Sequence, residues 1–172
     1  MEPQAYHAAA VLGIAGPSGS GKTRLIEQLI PMLQNAGLSV STVKHVHHDL
    51  ELDKPGKDSF RHREAGAEQV MVALPSGWTL FHPGRGRKQS TVAELVEQMA
   101  SVDLVLVEGF RSLEMEKIEV FSSTTDEPLN QPGHSSVVAV AADVNLPSLT
   151  VPAFSRDDID GITAFILKWL GR

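Results

Sequence analysis

The sequence feature that most constrains the fold is the stretch "GIAGPSGSGKTRL" at residues 13–25. Within it, residues 16–23 read "GPSGSGKT" and match the pattern G-x-x-x-x-G-K-[ST]. An apolar run precedes this segment, and a run with apolar residues on one helical face follows it. Pattern and context predict a strand, a tight loop and a helix that surround a phosphate with backbone amides. An ordinary glycine-rich turn is the alternative, but such a turn requires neither Lys22 nor Thr23.

We call residues 16–23 the phosphate loop and expect it to bind a nucleoside triphosphate. Glycine lets the backbone turn with positive φ and approach a ligand closely. Lys22 is predicted to reach the β and γ phosphates and to serve in catalysis, and Thr23 is predicted to offer its hydroxyl to Mg²⁺. The predicted nucleotide-binding residues of the loop are Gly16, Pro17, Ser18, Gly19, Ser20, Gly21, Lys22 and Thr23.

A magnesium site in such a protein also needs a carboxylate at the end of a neighbouring strand. Glu108 closes the apolar run "DLVLVEG", and it is predicted as a metal-binding and catalytic residue that acts directly or through water. A solvated acid at a strand end is the alternative for Glu108. Asp103 opens the same run and therefore lies at the wrong end, where we expect it to be a cap.

Near-continuous apolar strands alternate with amphipathic helices along the chain. This alternation predicts an α/β fold with three layers, in which helices cover both faces of a mostly parallel sheet. We expect one domain over residues 1–172, with residues 44–90 forming a polar loop and a small hairpin insertion. The last strand is predicted at residues 149–153, and the last helix after Ser155 with Asp157 and Asp158 in its first turn. Other strands are predicted at 11–15, 38–43, 69–74, 78–82, 102–110, 117–121 and 137–141, and short helices at 59–65 and 91–100.

Composition excludes several classes of protein. The 172-residue chain carries 15 basic and 21 acidic residues, for a net charge of −6, which argues against general nucleic-acid binding. It contains no cysteine, so disulfides and thiolate metal sites are excluded. Neither a signal peptide nor an apolar run of membrane-spanning length occurs. The sequence predicts a soluble cytoplasmic protein with no membrane partner.

The segment "KHVHHDLELDKPGKDS" follows the second predicted strand and should open on the same sheet edge as the phosphate loop. Its histidines suggest a metal site, although the spacing matches no known zinc pattern. Alternatively, Asp49 meets Mg²⁺ or its waters while basic side chains meet phosphates or an anionic substrate. A solvated polar loop is the third interpretation. The metal candidates are His45, His47, His48 and Asp49, and the basic candidates are Lys44, Lys54, Lys57 and Arg63.

The combination of "GPSGSGKT", "VKHVHHDLELDKPGKDSFRHREAGA" and "LVEGF" resembles the MobB family of molybdopterin-guanine dinucleotide biosynthesis adaptor proteins. The resemblance covers most of the chain, from about Val11 to the last helix. It implies a nucleotide-binding fold of the P-loop NTPase type, GTP binding with weak GTPase activity, and a homodimer. It also implies a role beside the MobA-type guanylyltransferase that joins GMP to molybdenum-bound molybdopterin. It also implies that a set of matching residues lies near the nucleotide or the pterin phosphate: Lys44, His45, His48, Asp49, Asp53, Lys54, Pro55, Gly56, Lys57, Asp58, Ser59 and Arg63.

The motifs quoted above do not identify the residue that would select guanine. Many GTP-binding proteins read the base with an aspartate in an N-K-x-D segment, which does not occur here. Asp143, which follows the strand "VVAVAA", is the best candidate by position, and a helix- or turn-capping role is the alternative.

Two further functions remain open from the sequence. A small-molecule kinase of the same fold would use Asp49 or Glu108 as a base, with "HPGRGRKQS" as an arginine-bearing lid. A nucleotide-dependent metallochaperone would carry a metal ion on the histidine loop. The leading hypothesis is a Mg²⁺-dependent GTP-binding adaptor of molybdenum-cofactor maturation.

Overall fold

A computed structural model describes residues 10–46, 53–82, 90–109, 115–124, 136–146 and 149–172. The chain divides into two compact units, Met1–His45 with Val92–Arg172, and Val46–Thr91. The single domain over residues 1–172 with an insertion at 44–90 stays a prediction. No helix among the described residues is long and apolar enough to cross a membrane.

The described residues form eight strands and four helices. They are β1 (Ala10–Ala15), α1 (Lys22–Asn35), β2 (Val40–Lys44), α2 (Asp58–Glu64), β3 (Val70–Leu74), β4 (Gly77–Phe81), α3 (Val92–Glu97), β5 (Leu104–Glu108), β6 (Lys117–Phe121), β7 (Val137–Ala142), β8 (Ala153–Ser155) and α4 (Ile159–Trp169).

The first unit contains a six-stranded sheet in the order β2-β5-β1-β6-β7-β8. Every neighbouring pair in it is parallel. Leu104, Val105, Leu106 and Val107 of β5 are all fully buried, which explains their unbroken apolar run. The predicted α/β fold with a mostly parallel sheet is therefore confirmed.

Helices cover both faces of this sheet. On one face, α1 and α4 pack against Leu12, Leu106 and Ile118, and Ile162 and Ile166 of α4 are fully buried there. Each such side chain contributes about 1.5–3 kcal/mol to folding. On the other face, Val92 of α3 packs in a cluster with side chains of β5. The three-layer arrangement holds the carboxyl ends of the strands along one edge.

Two sequence predictions at the carboxyl end of the chain are wrong. The last strand is β8 at Ala153–Ser155, not residues 149–153, because Leu149 and Val151 pack against a small apolar cluster outside the ladder. The last helix begins later than predicted, at Ile159. Asp158 is its N-cap and accepts a 3.0 Å hydrogen bond from the Gly161 N–H, so Asp157 precedes the helix.

The second unit contains α2 and the antiparallel hairpin of β3 and β4. The guanidinium of Arg63 lies 5.4 Å from the ring centre of Phe60 and 5.5 Å from that of Phe81. Val70 is buried, whereas Met71 and Trp78 are 58% and 64% exposed. Because residues 71, 73, 78 and 80 share one side of the hairpin, an apolar surface remains exposed there.

Candidate functional site: the phosphate loop and the strand ends around it

The phosphate loop connects the carboxyl end of β1 to the start of α1. β1 lies between β5 and β6. The chain continues from β1 to β2 on the β5 side, whereas it continues from β5 to β6 on the opposite side of β1, so the strand order reverses there. Ligands of open α/β sheets bind at such a reversal of strand order. Gly21 is the N-cap of α1 and has φ of 100°, and no side-chain cap hydrogen bond forms at that position. The amino end of α1 is thus suited to accept an anion.

Two glycines shape the loop for different reasons. Gly16 has φ of 141°, and a Cβ atom there would lie 2.2 Å from the carbonyl oxygen of Val120. Close approach to β6 therefore requires glycine at this position. Gly19 has φ of 77°, and a Cβ there would meet nothing within 4 Å. Glycine suits this position because it adopts a positive φ without strain, whereas the space next to its Cα atom is open.

Lys22 places its ammonium group within the loop. The Nζ atom donates hydrogen bonds to the carbonyl oxygens of Gly16, at 3.0 Å, and Pro17, at 2.6 Å. Ser20 is fully buried, and its N–H donates to the Pro17 oxygen at 3.3 Å. These bonds close the loop on itself and hold a cation at its centre, where phosphate oxygens would be attracted.

The predicted metal-binding pair Thr23 and Glu108 is brought together by the pairing of β1 with β5. The Thr23 hydroxyl donates a 2.9 Å hydrogen bond to Oε1 of Glu108, although the two residues are 85 positions apart. The Glu108 side chain is only 14% exposed, and Lys44 Nζ lies 3.5 Å from the same oxygen. A hydroxyl and a carboxylate supply the hard oxygen ligands that Mg²⁺ prefers, so the residues present fit that ion.

The start of the histidine segment lies at the same sheet edge as the phosphate loop, as expected. β2 is parallel to β5, and the His45 N–H donates a 2.9 Å hydrogen bond to the Glu108 carbonyl oxygen. His47, His48 and Asp49 lie outside the described residues, so their predicted roles remain predictions. Within the described ranges, no three His, Asp or Glu side chains form a cluster that could hold a metal ion.

Several other predicted residues lie in the second unit. Lys57 is the N-cap of α2, and Asp58 is the first residue of that helix. Arg63 forms an ion pair at 3.7 Å with Asp53, whose side chain is 7% exposed and accepts a 2.9 Å hydrogen bond from the Ser59 hydroxyl. Arg63 is thus held by a buried carboxylate and two aromatic rings within its own unit.

Asp143 lies directly after β7, at the carboxyl edge of the sheet. Its carboxylate accepts hydrogen bonds of 2.8 Å from the Ser123 N–H and from the Ser122 hydroxyl. These bonds, the Ser123 one first, hold the pKa of the Asp143 carboxyl below its usual range. Guanine recognition by this carboxylate remains a prediction.

Sequence reasoning missed Arg156, which connects Asp143 to the phosphate loop. Its Nη2 atom lies 3.3 Å from Asp143 Oδ2, and its Nη1 atom donates a 2.6 Å hydrogen bond to the Ser20 carbonyl oxygen. The last strand was predicted at residues 149–153, so Arg156 was not recognised as the residue that follows a strand end. With β8 ending at Ser155 and parallel to β7, the next residue necessarily lies at the carboxyl edge.

Comparisons with known proteins agree with this arrangement. Residues 11–143 match the family model of "Molybdopterin guanine dinucleotide synthesis protein B". The chain is 37% identical over 163 residues to the molybdopterin-guanine dinucleotide biosynthesis adapter protein of Escherichia coli, with 93% of each chain covered. It is 38% identical over 162 residues to the protein of that name from Haemophilus influenzae, covering 93% of this chain and 89% of the relative.

A solved structure is similar over the same length. The crystal structure of a molybdopterin-guanine biosynthesis protein B superposes with a TM-score of 0.70 at 26% identity. The superposition covers 92% of this chain and 99% of the other. The fold of this chain is therefore shared with that solved protein.

Proposed function

The chain belongs to the MobB family, and from that premise we propose that it is a GTP-binding adapter protein in molybdopterin-guanine dinucleotide biosynthesis, with weak Mg²⁺-dependent GTPase activity. The observation that carries the proposal is the convergence of the phosphate loop with the Thr23–Glu108 pair. The phosphate loop would bind the phosphates, and the Thr23–Glu108 pair would bind the magnesium ion that accompanies them.

In this proposal the loop amides and Lys22 bind the triphosphate, while Thr23 and Glu108 hold Mg²⁺. When bound, the ion would neutralise charge on the β and γ phosphates. Lys22 would exchange a carbonyl partner for phosphate oxygens and stabilise charge as the terminal phosphate leaves. Asp49 would assist at the metal and Asp143 would read guanine, as the sequence predicts. In this proposal GTP hydrolysis depends only on positioning and charge stabilisation, so it would be slow. Slow hydrolysis suits a protein that delivers or gates a nucleotide.

Binding measurements test the nucleotide part. We expect the protein to bind Mg²⁺-GTP more tightly than Mg²⁺-ATP, measured by isothermal titration calorimetry. Lys22→Ala should weaken GTP binding by at least tenfold, because the loop loses its central cation. Lys168→Ala, which removes an exposed lysine from the last turn of α4, is the matched control. Equal affinities for the two nucleotides would contradict the guanine assignment.

We further propose a cytoplasmic homodimer that acts beside a molybdopterin guanylyltransferase, with molybdopterin as a second ligand. The relatives named as adapter proteins support a protein partner. The exposed Met71 and Trp78 of the hairpin support it too, because contiguous apolar surface commonly marks a protein contact. A pull-down from molybdate-grown cells should recover the guanylyltransferase. Recovery of other proteins without it would refute this partner.

A further inference from the structure

A continuous chain of polar contacts crosses the carboxyl ends of three strands and ends on the phosphate loop. Ser122 and Ser123 follow β6, Asp143 follows β7, and Arg156 follows β8. The first two donate to the Asp143 carboxylate at 2.8 Å each, one to each oxygen. Because the donors include a backbone N–H, the carboxylate is fixed relative to the sheet.

Arg156 connects the Asp143 carboxylate to the phosphate loop. Its guanidinium presents donors in a rigid planar fork, with Nη2 at 3.3 Å from Asp143 Oδ2 and Nη1 at 2.6 Å from the Ser20 oxygen. The Arg156 and Asp143 side chains are only 28% and 19% exposed, so water screens the pair incompletely. A Cβ at Gly21 would lie 3.2 Å from the same Nη1 atom, which shows that the guanidinium packs against the loop backbone.

The contact involves the peptide group between Ser20 and Gly21. A trans peptide is planar, so its C=O and N–H point in opposite directions. The Ser20 carbonyl points at Arg156, and the Gly21 N–H therefore points away from it. Gly21 has φ of 100° and no side chain, so little intrinsic steric restraint holds the Ser20–Gly21 peptide in one orientation. An external anchor is needed if the Gly21 N–H is to be a preorganised donor.

We propose that Arg156 is a positioning residue for triphosphate binding: it anchors the Ser20 carbonyl and thereby directs the Gly21 N–H toward the phosphates, while Asp143 orients Arg156. The inference rests on the nucleotide binding proposed above and deepens it. It assigns Arg156 no contact with the nucleotide, since both Nη atoms already face protein oxygens. It also gives Asp143 a task that is independent of guanine.

Inorganic tripolyphosphate separates this role from base recognition, because it has phosphates and no base. Arg156→Gln should weaken binding of both tripolyphosphate and Mg²⁺-GTP by about tenfold, because the Gly21 N–H would no longer be held in place to donate a charge-assisted hydrogen bond to a phosphate. Arg156→Lys, which keeps one cationic donor, should recover part of that loss. Arg172→Gln is the matched control, because it breaks an arginine–aspartate pair with Asp103 at the opposite edge of the sheet. It should leave both affinities unchanged.

A readout that needs no ligand tests the anchor itself. In ¹⁵N NMR spectra the Gly21 amide signal should broaden or shift in Arg156→Gln, because the Ser20–Gly21 peptide becomes free to change orientation. Urea unfolding of the same variant shows how much of the protein is folded. A lower unfolding midpoint with an unchanged Gly21 signal and unchanged tripolyphosphate affinity would indicate a merely structural role and overturn the inference.

Asp143→Asn completes the test. The asparagine keeps the side-chain shape but lacks the charge that orients Arg156, so affinity for tripolyphosphate should fall in the same direction as in Arg156→Gln. Loss of the preference for GTP over ATP with unchanged tripolyphosphate affinity would show that Asp143 reads the base, and would overturn its positioning role. Wild-type protein that binds tripolyphosphate but not GTP would refute the proposed GTP binding. The positioning role of Arg156 would still be tested by the tripolyphosphate affinities of the variants.

Discussion

At the scale of single residues, Gly16 and Gly19 show that the same residue type serves two physical purposes in one loop. Both have positive φ, but only at Gly16 does a carbonyl oxygen occupy the position of a Cβ. Sequence reasoning predicted both as loop glycines, because the motif marks them. It could not distinguish them, since the clash at Gly16 comes from Val120, over a hundred residues away.

This difference predicts the order of two alanine variants. Gly19→Ala should cost the backbone strain of positive φ alone, about 1–2 kcal/mol of the free energy of unfolding. Gly16→Ala should cost at least about 1 kcal/mol more, because the loop or β6 must shift to admit the methyl group. Urea unfolding followed by circular dichroism measures both variants against the wild type. A larger loss in Gly19→Ala would contradict the close approach of Val120 to the loop.

At the scale of elements, the amino ends of the strands are joined by a polar cluster that the sequence only partly indicated. Asp103 precedes β5 and was expected to be a cap at the end of the strand away from the site. Its Oδ2 accepts hydrogen bonds from the Ser39 N–H at 2.8 Å and the Ser39 hydroxyl at 2.5 Å, and Arg172 donates to Oδ1 at 2.6 Å. Position along the strand was predictable from the sequence, whereas the contact with Ser39 depends on β2 pairing with β5, and the contact with Arg172 depends on where the chain lies after α4.

The cluster predicts how stability depends on acid pH. The Ser39 hydroxyl, then the Ser39 N–H, then Arg172 lower the pKa of Asp103 from 3.8 to about 2. The unfolded chain therefore binds more protons than the folded one between these values. The stabilisation is fully present above about pH 4 and is lost as the pH falls toward 2.

Asp103→Asn is the test of this dependence. At pH 6 the variant should unfold at a lower urea concentration than the wild type, and the difference should shrink steadily as the pH is lowered from 4 to 2. Ser39→Ala, which removes the hydroxyl donor, should show the same trend with smaller amplitude. A difference between wild type and Asp103→Asn that stays constant over this range would refute the assigned cause.

At the scale of the whole molecule, the predictable part is what lies close together in the chain. The phosphate loop follows from eight consecutive residues, and the α/β class follows from the alternation of elements. The partners of the loop come from strands distant in sequence: Glu108 from β5 and Arg156 from β8. Glu108 was found because its strand end was marked by an unbroken apolar run. Arg156 was missed because the apolar residues Leu149 and Val151 were interpreted as part of a strand, whereas they pack outside the strand ladder.

A site assembled from several strand ends should make ligand binding and global stability interdependent. A ligand that binds only the folded state raises the free energy of unfolding by RT ln(1 + [L]/Kd), about 2.7 kcal/mol at one hundred times Kd. We expect Mg²⁺-GTP to raise the melting temperature of the wild type in a concentration-dependent way, measured by differential scanning calorimetry. Lys22→Ala should lose the effect because the loop loses its cation, whereas Lys168→Ala should retain it. Thr23→Val lacks the hydroxyl proposed as a metal ligand beside Glu108, so Mg²⁺ should increase its melting temperature with GTP less than it does for the wild type. A Mg²⁺-dependent shift in Thr23→Val as large as in the wild type would refute that assignment and leave Glu108 as the proposed ligand.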